Sequence, residues 1–326
     1  MDWLIEARRR CSRVGLAGCV MVAAWLACNT ALSVLLLSVT NGNPPAWALL
    51  LISSGPLYVV AMPLAVLVMR AAPALPTRRF AMSPGRFLTL LLMCLPIMYA
   101  GNIVGTLLSS LLSGGTAVNA VGELVMRNDP WTALFVAVLA PIFEEWLFRK
   151  QIISRTRRYG ERLAIVLSAL MFALFHLNLF QFFYAFGLGL MFGYVYTRTS
   201  NLLYPIAMHM VINLNGGVLA PWVLSQVDYG TLELVSSGDV AAAEQALRGG
   251  AMGGLGVVML YGLALAVLSI AGLVLLIAKR RSFVFYRTPE ELPREAAART
   301  VFGNPGVVAY IVITVLYILA SLVLPM

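Results

Sequence analysis

Apolar residues run through this chain in long blocks, near 14–39, 46–69, 87–112, 131–153, 161–178, 180–197, 204–224, 252–278 and 306–325, and polar clusters separate the blocks. Each approaches the roughly 20 residues an α-helix needs to cross a bilayer. The pattern predicts an all-α, polytopic integral membrane helical bundle of about eight to nine transmembrane helices. The count turns on 161–197, where two short segments meet at Asn178 without a clear turn signal. Composition agrees: 60% of residues are hydrophobic and 11% charged, against about 25% charged in a soluble domain.

The net charge of +9 would suggest nucleic acid as a partner, but the placement of the charges argues against that. When loops are assigned alternately to two sides, all of the 23 lysines and arginines except Arg127 and Arg248 fall on one side. By the positive-inside rule that side is cytoplasmic, so the N-terminus is expected in the cytoplasm and, with nine spans, the C-terminus outside. The membrane is expected to be a bacterial plasma membrane. The first apolar block is too long for a signal-peptide core and reads as a first span. Cys11, Cys19, Cys28 and Cys94 show no metal-ligand spacing and are expected to be packing residues.

The chain divides into N-terminal helices (1–130), a central segment rich in membrane-embedded polar groups (131–217), and an external loop with C-terminal helices (218–326). In the loop 225–251 the stretch DVAAAEQALR is expected to form a short surface helix, and RTPEELPREAAART at 287–300 an interfacial one.

The two histidines of the chain, His176 and His209, both lie in apolar blocks, downstream of the pair Glu144 and Glu145. Ionisable groups inside a membrane are expensive and are functional suspects by default. Glu145 and Arg149, Phe172 and His176, and His209 and Asn213 are each four apart, so each pair shares a helix face. Counted from the turn near Tyr159, Glu145 and His176 sit ~20 to 25 Å along their helices at 1.5 Å per residue, whereas His209 is only ~12 Å beyond its own turn near Asn201. Tilt or a deep loop is required to bring His209 level.

Such a set suits hydrolysis. Adjacent glutamates point about 100° apart on a helix, so one can activate water while the other is held by Arg149 or by a neighbouring helix. His209 with Asn213 can then hydrogen-bond an oxyanion. Alternatively, Glu144, His176 and His209 can form a three-ligand zinc site with an open position. Non-catalytic explanations weigh against each group. Glu144 and Glu145 can mark a helix end, His176 can be a packed histidine, His209 with Asn213 can be interhelical polar packing, and Phe172 is more readily a wall than a participant. Gly187, Gly189 and Gly193 are expected to allow close helix contact.

Read together, EEWLFR at 144–149, FALFH at 172–176 and HMVIN at 209–213 carry the EExxxR, FxxxH and HxxxN patterns. Over about 130–217 the chain therefore resembles the CAAX prenyl protease type II and bacteriocin-processing (CPBP, or Abi) family of intramembrane proteases. The resemblance implies that Glu144 activates water beside His176, that His209 and Asn213 complete the site, and that Glu145 and Arg149 support it. Metal-assisted and metal-free versions both stay open. The expected function is an intramembrane endopeptidase acting on a membrane-associated peptide or protein, with its cavity open mainly to the cytoplasm. The alternatives are a non-catalytic scaffold or bacteriocin-immunity protein of the same fold, and a proton-coupled transporter. Oligomeric state is not legible in the sequence.

Overall fold

The computed structural model describes residues 2–127, 129–227, 230–231, 252–288 and 290–323. They form the following helices: α1 Asp2–Val39, α2 Ala46–Met69, α3 Pro84–Ser113, α4 Ala120–Met126, α5 Pro130–Tyr159, α6 Glu161–Phe175, α7 Leu179–Thr199, α8 Leu203–Leu224, α9 Met252–Ala278, α10 Arg294–Val301 and α11 Pro305–Val323. Among the described residues eight helices are long and apolar enough to cross a membrane. The protein is an integral membrane helical bundle. The surface helix expected within DVAAAEQALR lies outside the described residues, whereas the helix expected in 287–300 begins after Pro293, as α10.

The apolar block at 161–178 becomes α6, which stops after 15 residues, short of the roughly 20 a full crossing needs. It ends at His176 and turns through Leu177, in the left-handed region at φ 53°. The Asn178 side chain then accepts from Gln181 N at 2.8 Å and caps α7. Most of α6 is buried by protein, so its inner end lies inside the bundle.

Helix α7 is the central element, packed against α3 and α6; α9 covers α3, and α1 joins α2 and α11 on the opposite flank. Small residues permit these approaches. A Cβ on Gly189 would lie 3.0 Å from Ala169, and one on Gly193 would lie 3.1 Å from Ile165, as expected for close helix contact.

Most of the described arginine-bearing segments meet at one end of the bundle. Arg10 donates to the Tyr159 hydroxyl, Arg155 to Met69 O and Arg157 to Ser200 Oγ. Two extended straps close this end. Residues 70–83 are tied down by Leu75 N to Ser154 O and Phe80 N to Thr199 O, both 2.7 Å, and by Met82 N to the Tyr204 hydroxyl. Residues 283–292 are tied down by Tyr286 N to Glu161 Oε2 and Thr288 Oγ1 to Arg158 O, and by Leu292 N to Tyr159 O.

Candidate active site

The site is built where α5, α6 and α8 converge. In α5, residues 133–139 and 146–153 are wound as π-helix, with α-helical 140–145 between them. The i→i+5 winding, often found at functional sites, packs more residues into each turn and so shortens the climb from the arginine-rich end to Glu145. This removes part of the depth mismatch that a uniform α-helical rise predicts, and His209 reaches the glutamates.

Glu145, Arg149 and His209 form a connected buried group. Arg149 Nε lies 2.9 Å from Glu145 Oε2, and both side chains are fully shielded from solvent. Arg149 Nη2 donates to Glu145 Oε1 at 3.1 Å and Nη1 to Ser168 Oγ, which itself donates to Phe148 O. The guanidinium also lies over the Phe172 ring, 4.6 Å from its centroid. Such a pair is tolerated in apolar surroundings when the geometry is good and further hydrogen bonds, here to Ser168 and His209, share the charges.

On the other side of Glu145, His209 Nδ1 is 3.0 Å from Oε1. A carboxylate only accepts, so Nδ1–H donates, and the ring orientation and tautomer of His209 are set by a carboxylate that Arg149 itself anchors. The second nitrogen, Nε2, faces Glu144 Oε2 across 3.8 Å, a gap at which one asks whether a water intervenes. Glu144 thus stands apart from the Arg149 pair and lines a cavity of about 530 Å³. The non-catalytic alternative that placed both carboxylates at a helix end is not what the fold does: α5 continues to Tyr159 and both glutamates are buried.

His176 lies across the cavity lining. Its Nδ1 is 2.8 Å from Phe172 O; because a carbonyl accepts, this nitrogen carries the proton and leaves Nε2 with a free lone pair. Phe172 is the wall between the two imidazoles, 4.9 Å from His176 and 5.8 Å from His209 by ring centroids. Asn213 lines the same cavity but commits one amide N–H to Val136 O at 2.9 Å, and a second N–H remains. All seven residues singled out by spacing are therefore brought to one place.

The metal expectation fares differently. Among the described residues no three His, Cys, Asp or Glu side chains are grouped so as to hold a metal ion. The expected ligands, Glu144, His176 and His209, line one cavity without forming such a group.

Sequence reasoning missed a polar chain on the cavity wall. Asn178 Nδ2 donates to Gln181 Oε1 and Gln181 Nε2 donates to the Tyr184 hydroxyl, at 2.6 and 2.7 Å. The i, i+3 spacing of Asn178, Gln181 and Tyr184 was the available signal. Tyr58, stacked on Phe143 with centroids 4.3 Å apart, also lines the cavity, and nothing in its surrounding sequence distinguishes it.

Residues 126–215, which supply every one of the seven, match the family model for the type II CAAX prenyl endopeptidase Rce1-like domain. This segment is similar to the Rce1-like CAAX proteases. A curated relative, the membrane-embedded CAAX protease MroQ of Staphylococcus aureus (strain USA300), is 35% identical over 111 residues, covering 31% of this chain. The match spans 44% of the relative, a little under half its length. No solved structure matches the chain significantly.

The cavity was expected to open toward the arginine-rich side, yet its described lining contains no arginine or lysine. It is lined instead by the opposite half of the bundle: Leu50 and Ser53 near the start of α2, Asn119 and Val121 at α4, and Gly216 and Ala220 late in α8. The two straps lie across the arginine-rich end, and the described lining of the cavity lies away from it.

Proposed function

We propose that this protein is an intramembrane endopeptidase in which Glu144 activates water for attack on a peptide carbonyl. The observation that supports this most strongly is the division of labour between neighbouring carboxylates. Glu145 is engaged by Arg149 and His209, while Glu144 is turned to a cavity within the membrane.

In the proposed reaction a Glu144 carboxylate oxygen takes a proton from water as the water oxygen bonds to the scissile carbonyl carbon. His176 Nε2 accepts a hydrogen bond from the same water and orients it. The oxyanion that forms is met by the uncommitted Asn213 N–H and by His209, which in its doubly protonated form keeps Nδ1–H on Glu145 and presents Nε2–H to the cavity. Glu144 then returns the proton to the amide nitrogen as the C–N bond breaks. Phe172 holds the imidazoles apart, and Glu145 with Arg149 positions His209.

The test is cleavage of a membrane-inserted peptide by the purified protein in liposomes, with Glu144→Gln as the control that keeps shape and removes the base. Loss of cleavage with unchanged thermal unfolding supports the assignment. Treatment of the wild type with a chelator is expected to leave the rate unchanged; a loss that added zinc restores would return the metal-assisted version. A biological function that survives Glu144→Gln would indicate the scaffold or immunity role.

A further inference from the structure

The cavity and the charges occupy opposite ends of the bundle. The chain's arginines cluster where α1 begins, where α2 meets α3, around the α5–α6 turn, at the end of α7 and after α9, and these segments are hydrogen-bonded to one another. Two straps lie across that end through six hydrogen bonds to the ends of α5, α6, α7 and α8. None of the described residues lining the cavity belongs to either strap or to the arginine clusters. The lining runs instead from Glu144 and His176 in mid-bundle to Val121 and Leu50 at the far end.

Lysine and arginine bias sets the orientation of helical membrane proteins, with the rich side in the cytoplasm. We propose that the mouth of this cavity faces away from the cytoplasm, so that the enzyme works on peptide segments at the outer leaflet and not on tails presented from within the cell. The proposal rests on the proteolytic reading only for what enters the cavity; the orientation of the mouth stands independently.

The lining also bears on the kind of segment admitted. Among the described residues the charged or titrating groups are Glu144, His176 and His209, together with tyrosines, and the other polar groups are mostly amides, including Asn102, Asn119, Gln181 and Asn215. A free terminal carboxylate beside the scissile bond would find no arginine or lysine to pair with. Amide side chains can satisfy the N–H and C=O groups of an extended main chain, and Trp25, Tyr58, Phe135 and Phe175 offer apolar surface for its side chains. The segment that fits is uncharged, apolar and extended, and it is cut internally.

Single-cysteine labelling tests the orientation without reference to catalysis. In a chain with its four cysteines replaced by alanine, Val121→Cys near the mouth and Arg78→Cys on the sealed end are treated in intact cells with a membrane-impermeant maleimide. Val121→Cys is expected to react at once and Arg78→Cys only after permeabilisation. The reverse pattern, or reaction of Arg78→Cys in intact cells, overturns the proposal. Asn43→Cys and Arg281→Cys, exposed on the same two ends, repeat the comparison at sites that touch neither cavity nor strap. For the substrate class, an apolar peptide added to right-side-out vesicles is cleaved, whereas the same peptide added to inverted vesicles is not. Absence of cleavage from both sides counts against the proteolytic reading and leaves the labelling result intact.

Discussion

Two buried glutamates of this protein have arginine partners four residues away, and they serve different ends. Glu161, at the arginine-rich end, is held by Arg157 and Arg198 and also accepts from Tyr286 N. Glu145, in mid-bundle, is held by Arg149 and accepts from His209 Nδ1. Around Glu161 every partner is a permanent cation or a backbone amide, so the cluster fastens a strap and ends there. Around Glu145 one partner is a histidine whose other nitrogen looks across 3.8 Å to a second carboxylate, Glu144, on a cavity. A buried ion pair becomes part of a reactive site when it leaves one titratable neighbour with unused capacity and solvent access.

The sharpest way to break this comparison is Arg149→Met. It removes one partner of a wholly buried pair, which costs about 3 to 5 kcal/mol, and it frees Glu145 from its anchor. Thermal unfolding in detergent should show the loss of stability, and cleavage should fall even in the fraction that stays folded, because His209 is no longer oriented. A stable, active variant would place Arg149 outside the site. Asn213→Ala comes next: loss of an oxyanion donor typically costs about 10²- to 10³-fold in rate, and here it should appear in kcat with the melting temperature little changed. An effect confined to KM would make Asn213 a substrate contact instead.

Glu161→Gln should give the smallest catalytic effect. Replacing a buried charge-assisted acceptor costs about 1 to 3 kcal/mol, read as a lower unfolding temperature and faster proteolysis of the strap at 283–292. Cleavage per folded molecule should not change. If it falls as far as in Arg149→Met, the two clusters are not functionally distinct.

Most of this arrangement was legible before any coordinates, for reasons that can be named. Glu145 with Arg149 and His209 with Asn213 are joined by helical spacing, and a buried i, i+4 ion pair is the expected resting place of a carboxylate that does not face the cavity. The arginines report one end of the bundle because membrane insertion selects for that bias. Two features were not legible. The π-winding at 146–153 leaves no mark in hydrophobic periodicity, so its part in bringing Glu145 toward His209 is hidden. The side on which the cavity opens depends on straps whose hydrogen bonds join residues far apart in the chain, such as Met82 to Tyr204 and Tyr286 to Glu161. A charge count finds the arginine-rich end but does not show that it is shut. The 15-residue length of α6 was likewise hidden, since the apolar block runs on through Asn178 while the helix stops at His176.

The central claim, that Glu144 and not Glu145 acts on water, is tested most directly by comparing Glu144→Gln with wild type in liposomes that contain a membrane-inserted peptide substrate. The account predicts a fall in single-turnover cleavage of about 10²- to 10⁴-fold, the range for removal of a general base, with thermal unfolding unchanged. A folded Glu144→Gln protein that cleaves at the wild-type rate would contradict it.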